Sequence, residues 1–80
     1  MPTILRFGAF RIMIYTDDHG PPHVHATDGS QSASFWLHCA ERRASLRARK
    51  HMAGQVLSRV QNFIEANVEV LCEAWKEVHQ

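Results

Sequence analysis

The apolar residues of this 80-residue chain change their period once, near Met52. Before that point they alternate. Phe10, Ile12 and Ile14 stand against Arg11, Met13 and Tyr15, and Phe35 and Leu37 stand against Trp36 and His38. A period of two marks strands with one face turned to a core. Beyond Met52, the residues Leu57, Val60, Ile64, Val68, Leu71, Trp75 and Val78 are spaced by 3, 4, 4, 3, 4 and 3. That is one apolar stripe on a helix. The chain therefore reads as an α+β fold, a small antiparallel sheet covered by a C-terminal helix.

The strands read as Thr3–Phe7, Phe10–Tyr15, His23–Ala26 and Ala33–Cys39, with Ser45–Arg49 as a fifth. Gly8-Ala9 between the first two marks a tight hairpin. Asp17 to Pro22 breaks the pattern with two acids, a glycine and two prolines, a loop with little conformational freedom. Asp28-Gly29 marks a turn. The helical stripe keeps its phase across Asn67, which favours one long helix. Its length argues the other way: about 27 residues span roughly 40 Å, whereas a domain of this size is about 30 Å across. Either the helix kinks near Ala66-Asn67 or its end overhangs. The preferred reading is the overhang, packed on a second copy or on a partner.

Length allows one domain, residues 1–80. Such a chain buries roughly 60–65% of its unfolded surface. Its core is small, so a partner or second copy would add much stability. Residues classed as hydrophobic make up 45% and charged ones 21%, which excludes disorder. Nine Lys/Arg against eight Asp/Glu leave a net charge of +1, so bulk charge points neither to nucleic acid nor to membrane. No 18 apolar residues run together, and the start, Met1 to Arg6, lacks the pattern of a signal peptide. The expected location is the cytoplasm. Cys39 and Cys72 show no CxxC spacing and read as reduced, half-buried thiols.

Charge is nevertheless uneven. Residues 42–50 carry Arg42, Arg43, Arg47, Arg49 and Lys50 without an acid. Glu65, Glu69, Glu73 and Glu77 recur every four residues, an acidic ridge along the helix. The two segments are expected to oppose each other within the molecule. The second use for the basic five is contact with RNA or DNA phosphates, for which arginine suits bidentate bonding.

Six histidines are the anomaly of the composition. His19, His23 and His25 lie beside Asp17 and Asp18, and His23 and His25 share one face if they sit on a strand. Three imidazoles can meet one metal ion, zinc being the candidate, with the aspartates as ligands or as groups that orient a ring. The same residues suit acid–base chemistry, with Asp18 holding His19 or His23 in one tautomer. The third reading is structural: rings bonded to backbone groups, stiffening a proline-rich loop. His79 follows Trp75 by four residues, so both share a helix face, and a histidine there suits the helix dipole.

The opening Pro-Thr-Ile-Leu-Arg-Phe, the Arg11–Tyr15 segment and Asp18-His19-Gly20-Pro21-Pro22-His23-Val24-His25 resemble the small bacterial domain-of-unknown-function family 4160 (DUF4160). Its members share a DH-x-PPH-x-H loop and a closing helix with a Trp, often followed by a His. Trp75 and His79 fit that ending. The middle departs from the family pattern, with a basic run where many members place acids. The resemblance implies a compact α+β protein, often encoded beside another small protein in an arrangement resembling a toxin–antitoxin pair. It carries no established reaction. Asp18, His19, Pro21, Pro22, His23 and His25 carry over as its site. The leading expectation is a module that binds a protein partner and, through Arg42 to Lys50, nucleic acid. The rival is a small ribonuclease or other hydrolase using His19, His23, His25 and Asp18, with or without zinc.

Overall fold

Strands come first and helices last in the computed structural model, which describes residues 3–79. Met1 and Pro2 of the opening segment lie outside the described residues. The strands are β1 (Thr3–Phe7), β2 (Phe10–Met13), β3 (His23–Thr27), β4 (Ser32–His38) and β5 (Arg43–Lys50); the helices are α1 (Gly54–Ala66) and α2 (Val68–Val78). The sheet is an antiparallel meander in the order β1-β2-β3-β4-β5. Gly8, at φ 59°, turns the first hairpin between the paired Phe7 and Phe10. The β3–β4 turn is built on Asp28, whose carboxylate accepts from the Ser30 and Gln31 amides, each at 2.9 Å. The Gln31 side-chain amide, followed by the two backbone amides, holds the Asp28 carboxyl well below the usual carboxylate range.

Alternation sorts the side chains into two faces. On the covered face Val24 lies opposite Phe35 and Ala26 opposite Ala33. These join Ile12, Ile14, Val60, Ile64 and Leu71 in one core. On the other face His23 lies opposite Trp36 and His25 opposite Ser34. Phe7 stacks on Phe63 at 4.9 Å, which ties β1 to α1.

The long helix is not formed. Asn67, at φ −117° and ψ 18°, separates α1 from α2. Its side-chain amide donates to the Phe63 carbonyl at 2.8 Å. The stripe keeps its phase all the same: Val60 and Ile64 are buried from α1, and Val68, Leu71, Cys72 and Trp75 from α2. The reason is size. The molecule measures 33 × 26 × 20 Å, and a straight helix of roughly 40 Å would leave its last turns without a sheet to cover. Breaking at Asn67 lets both halves bury their stripe, so the expected overhang is absent.

The cysteines also differ from expectation. Cys39 and Cys72 are not reduced thiols but a disulfide, with Cα atoms 6.2 Å apart across a separation of 33 residues. It fastens α2 to the chain just after β4. The pairing follows from the return of α2 over the sheet, which no local spacing announces. No helix among the described residues is long and apolar enough to cross a membrane.

The β5 edge is partly closed by α1. At Ala44 the backbone N–H donates to Glu65 Oε2 at 2.9 Å, and the carbonyl accepts from Gln61 Nε2 at 2.9 Å. Side chains thereby occupy edge groups that would otherwise template another strand.

Candidate functional site

The proline-rich loop delivers Asp18 to the start of β3. Its end is tied to β4, because the Leu37 amide donates to the Pro22 carbonyl at 2.9 Å. The neighbouring Pro21 carbonyl accepts from His23 Nδ1 at 3.0 Å. The other ring nitrogen of His23, Nε2, lies 3.3 Å from Asp18 Oδ2. Two residues on, His25 Nε2 donates to the same oxygen at 3.1 Å. The i, i+2 spacing on a strand is what brings both rings to one carboxylate.

Aromatic rings wall this cluster. His23 is 2% exposed, with the Trp75 ring at 5.2 Å and the Trp36 ring at 5.4 Å. Tyr15 meets His25 edge-on at 4.5 Å. His79 stacks on Trp75 at 3.9 Å, and its Nδ1 donates to the Trp75 carbonyl at 3.0 Å. Its Nε2 is buried without a partner among the described residues. His19 is exposed in the loop and lies outside the group formed by Asp18, His23 and His25. His38 bonds Ser45 Oγ at 2.7 Å, away from the cluster.

Burial pushes the His25 imidazole below its ordinary value of 6.5, and nearby His23 and Arg47 add to this, against the opposing pull of Asp18. The unfolded chain therefore takes up a proton at higher pH than the folded one. The resulting stability is complete above about 6.5 and is lost as pH falls through that value towards the folded one. Urea midpoints measured at about pH 7.5 and about pH 5.5 should fall on acidification, and fall less in His25→Gln. Equal losses in both proteins would remove His25 as the cause.

The basic segment divides in two. Arg42 pairs with Glu69 at 2.9 Å and Arg43 approaches Glu65 at 3.9 Å, so these two do face the acidic ridge. Such exposed pairs contribute about 0–1 kcal/mol. Arg47, Arg49 and Lys50 line a groove of about 280 Å³ together with Tyr15, His25 and Ser34. Arg47 owes its position to a β-bulge. Ser34 pairs with Ala48 and Phe35 with Leu46, which leaves Arg47 as the extra residue. Its guanidinium lies 5.2 Å over the Trp36 ring and donates to Ser34 Oγ at 3.3 Å.

Sequence reasoning missed Tyr15 and Ser34 as members of this groove, and Trp36 beneath Arg47. The basic stretch itself holds no aromatic residue; the ring beneath Arg47 comes from the neighbouring strand. The outward phase of Trp36 on β4 was the only signal, and the bulge that aims Arg47 at it leaves none.

No curated protein and no solved structure matches this chain. A family model described as a domain of unknown function (DUF4160) matches residues 9–76. The match takes in every strand after β1, the histidine cluster and nearly all of α2, and the chain belongs to the DUF4160 family.

Proposed function

We propose that this protein is the binding component of a toxin–antitoxin-like two-gene module and takes single-stranded RNA on the free face of its sheet. The observation that carries the reading is the groove in which Arg47, Arg49 and Lys50 stand beside Tyr15 and His25, with Trp36 under Arg47. Cations track a phosphate backbone and aromatic rings stack bases, a combination that suits single strands. The cluster favours binding over chemistry. His23 is enclosed against Trp75 and committed to the Pro21 carbonyl, so it has no access to a substrate. In such a module the protein works beside a small protein partner encoded nearby, or a second copy of itself. The exposed face of α2, with Glu69, Val70, Glu73 and Glu77, is the surface left for that contact.

Fluorescence anisotropy with a labelled single-stranded RNA tests the nucleic-acid part. Three phosphate contacts give a log–log salt slope of about −2, which the triple variant Arg47→Ala/Arg49→Ala/Lys50→Ala should abolish. Tyr15→Ala should weaken binding about 5-fold or more through lost stacking. Arg42→Ala, which breaks only an exposed ion pair, should leave it unchanged. Binding without salt dependence, or equal losses in Arg42→Ala and the triple variant, would reject the groove.

A small histidine-dependent hydrolase is the second reading. It is favoured by His25, whose imidazole is held towards its neutral form on the groove wall beside Asp18. RNA cut by the wild type and spared by a folded His25→Gln variant would decide for it.

A further inference from the structure

We propose that Asp18, His23 and His25 form a binding site for one zinc ion, held through Asp18 Oδ2 and the two Nε2 atoms. His19, the loop residue that the sequence offers as third ligand, takes no part. Asp18, His23 and His25 each place a ligand atom within 4.8 Å of the others. The carboxylate oxygen lies 3.3 and 3.1 Å from the two nitrogens. Atoms bound to one ion at about 2.0–2.1 Å in tetrahedral or octahedral array stand roughly 2.8–3.4 Å apart. The two oxygen–nitrogen separations are those of neighbouring ligands on one ion.

Proton placement gives an independent reason. His23 Nδ1 donates to the Pro21 carbonyl, so in the neutral ring Nε2 carries a lone pair. That nitrogen lies 3.3 Å from a carboxylate oxygen that already accepts from His25. Two electron-rich atoms at 3.3 Å repel unless a positive centre lies between them, and a metal ion bound by both is one such centre. A backbone carbonyl bonded to the far ring nitrogen is also the usual way a ligating histidine is oriented.

The set is pre-organised. His23 is locked between Trp36 and Trp75, and the loop carrying Asp18 is pinned to β4 through Pro22. Ions have a route in, since the side chains of Asp18 and His25 are 20% and 24% exposed. Two imidazoles with one carboxylate select a transition metal over magnesium or calcium, which prefer oxygen. Three protein ligands leave a position open for water or an anion. This inference does not depend on RNA binding.

Cobalt titration of untagged, chelator-treated protein, followed by visible absorption and by displacement with zinc, tests it. One equivalent should bind. Asp18→Asn and His25→Gln, both at partly exposed positions, should weaken binding 10-fold or more, while His19→Gln should not. Circular dichroism keeps misfolded variants out of the comparison. Zinc should also raise the Tm of the wild type and leave that of Asp18→Asn unmoved. If the wild type binds no more tightly than Asp18→Asn, the metal site is wrong. If His19→Gln loses as much as His25→Gln, the ion sits in the loop instead.

Discussion

Reducing the Cys39–Cys72 disulfide lowers the unfolding free energy by about 3–4 kcal/mol. The bridge closes a sequence separation of 33 residues, and the loss of that constraint returns chain entropy to the unfolded state. The loop it closes contains the end of the sheet, β5 and most of the helical segment. For a chain of this length total stability is roughly 4–12 kcal/mol, so reduction removes a large share of it. Urea unfolding with and without a phosphine reductant measures the difference. The Cys39→Ser/Cys72→Ser variant should match the reduced wild type and no longer respond to reductant. A loss below about 1 kcal/mol would mean that packing of Leu71 and Trp75 alone holds α2 in place.

His23→Ala costs about 3 kcal/mol, although the residue is a histidine on a surface-facing side of a strand. The ring is buried and fills the space between Trp36 and Trp75, so its removal leaves a cavity. Large-to-small changes at such sites cost about 2–5 kcal/mol. The change also strips the Pro21 carbonyl, on an exposed residue, of its donor, and the lost hydrogen bond adds about 0.5–1.5 kcal/mol, part of it overlapping with the cavity. His23→Asn keeps an N–H donor near the Nδ1 position and should recover about 1 kcal/mol of the loss. Denaturant midpoints for the three proteins provide the test. A cost below about 1 kcal/mol for His23→Ala would show that Trp36 and Trp75 close over the gap.

The pairing of His23 with His25 in the Asp18-His19-Gly20-Pro21-Pro22-His23-Val24-His25 run was legible because its residues are local. Two histidines at i, i+2 on a strand share a face, and two prolines limit what the loop can do. The third member of the cluster was not. Asp18 and His19 are adjacent in sequence, and spacing does not say which of them the loop turns inward; the structure turns Asp18 in and leaves His19 exposed. The five cations of residues 42–50 read as one patch. Their division into Arg42 and Arg43 against α-helical glutamates, and Arg47, Arg49 and Lys50 around the groove, follows from pairing partners on other elements.

The sequence by itself determined the strands, the α+β class and the phase of the helical stripe. Each depends on residues a few positions apart, and side-chain period is a local property of the backbone. Only the tertiary structure decided the break at Asn67, the Cys39–Cys72 bond and the bulge beneath Arg47. All three answer to distances through space. The sheet is too short for a straight helix. Two cysteines far apart in sequence meet where α2 returns over the end of β4. An extra residue in an edge strand is defined by the strand beside it.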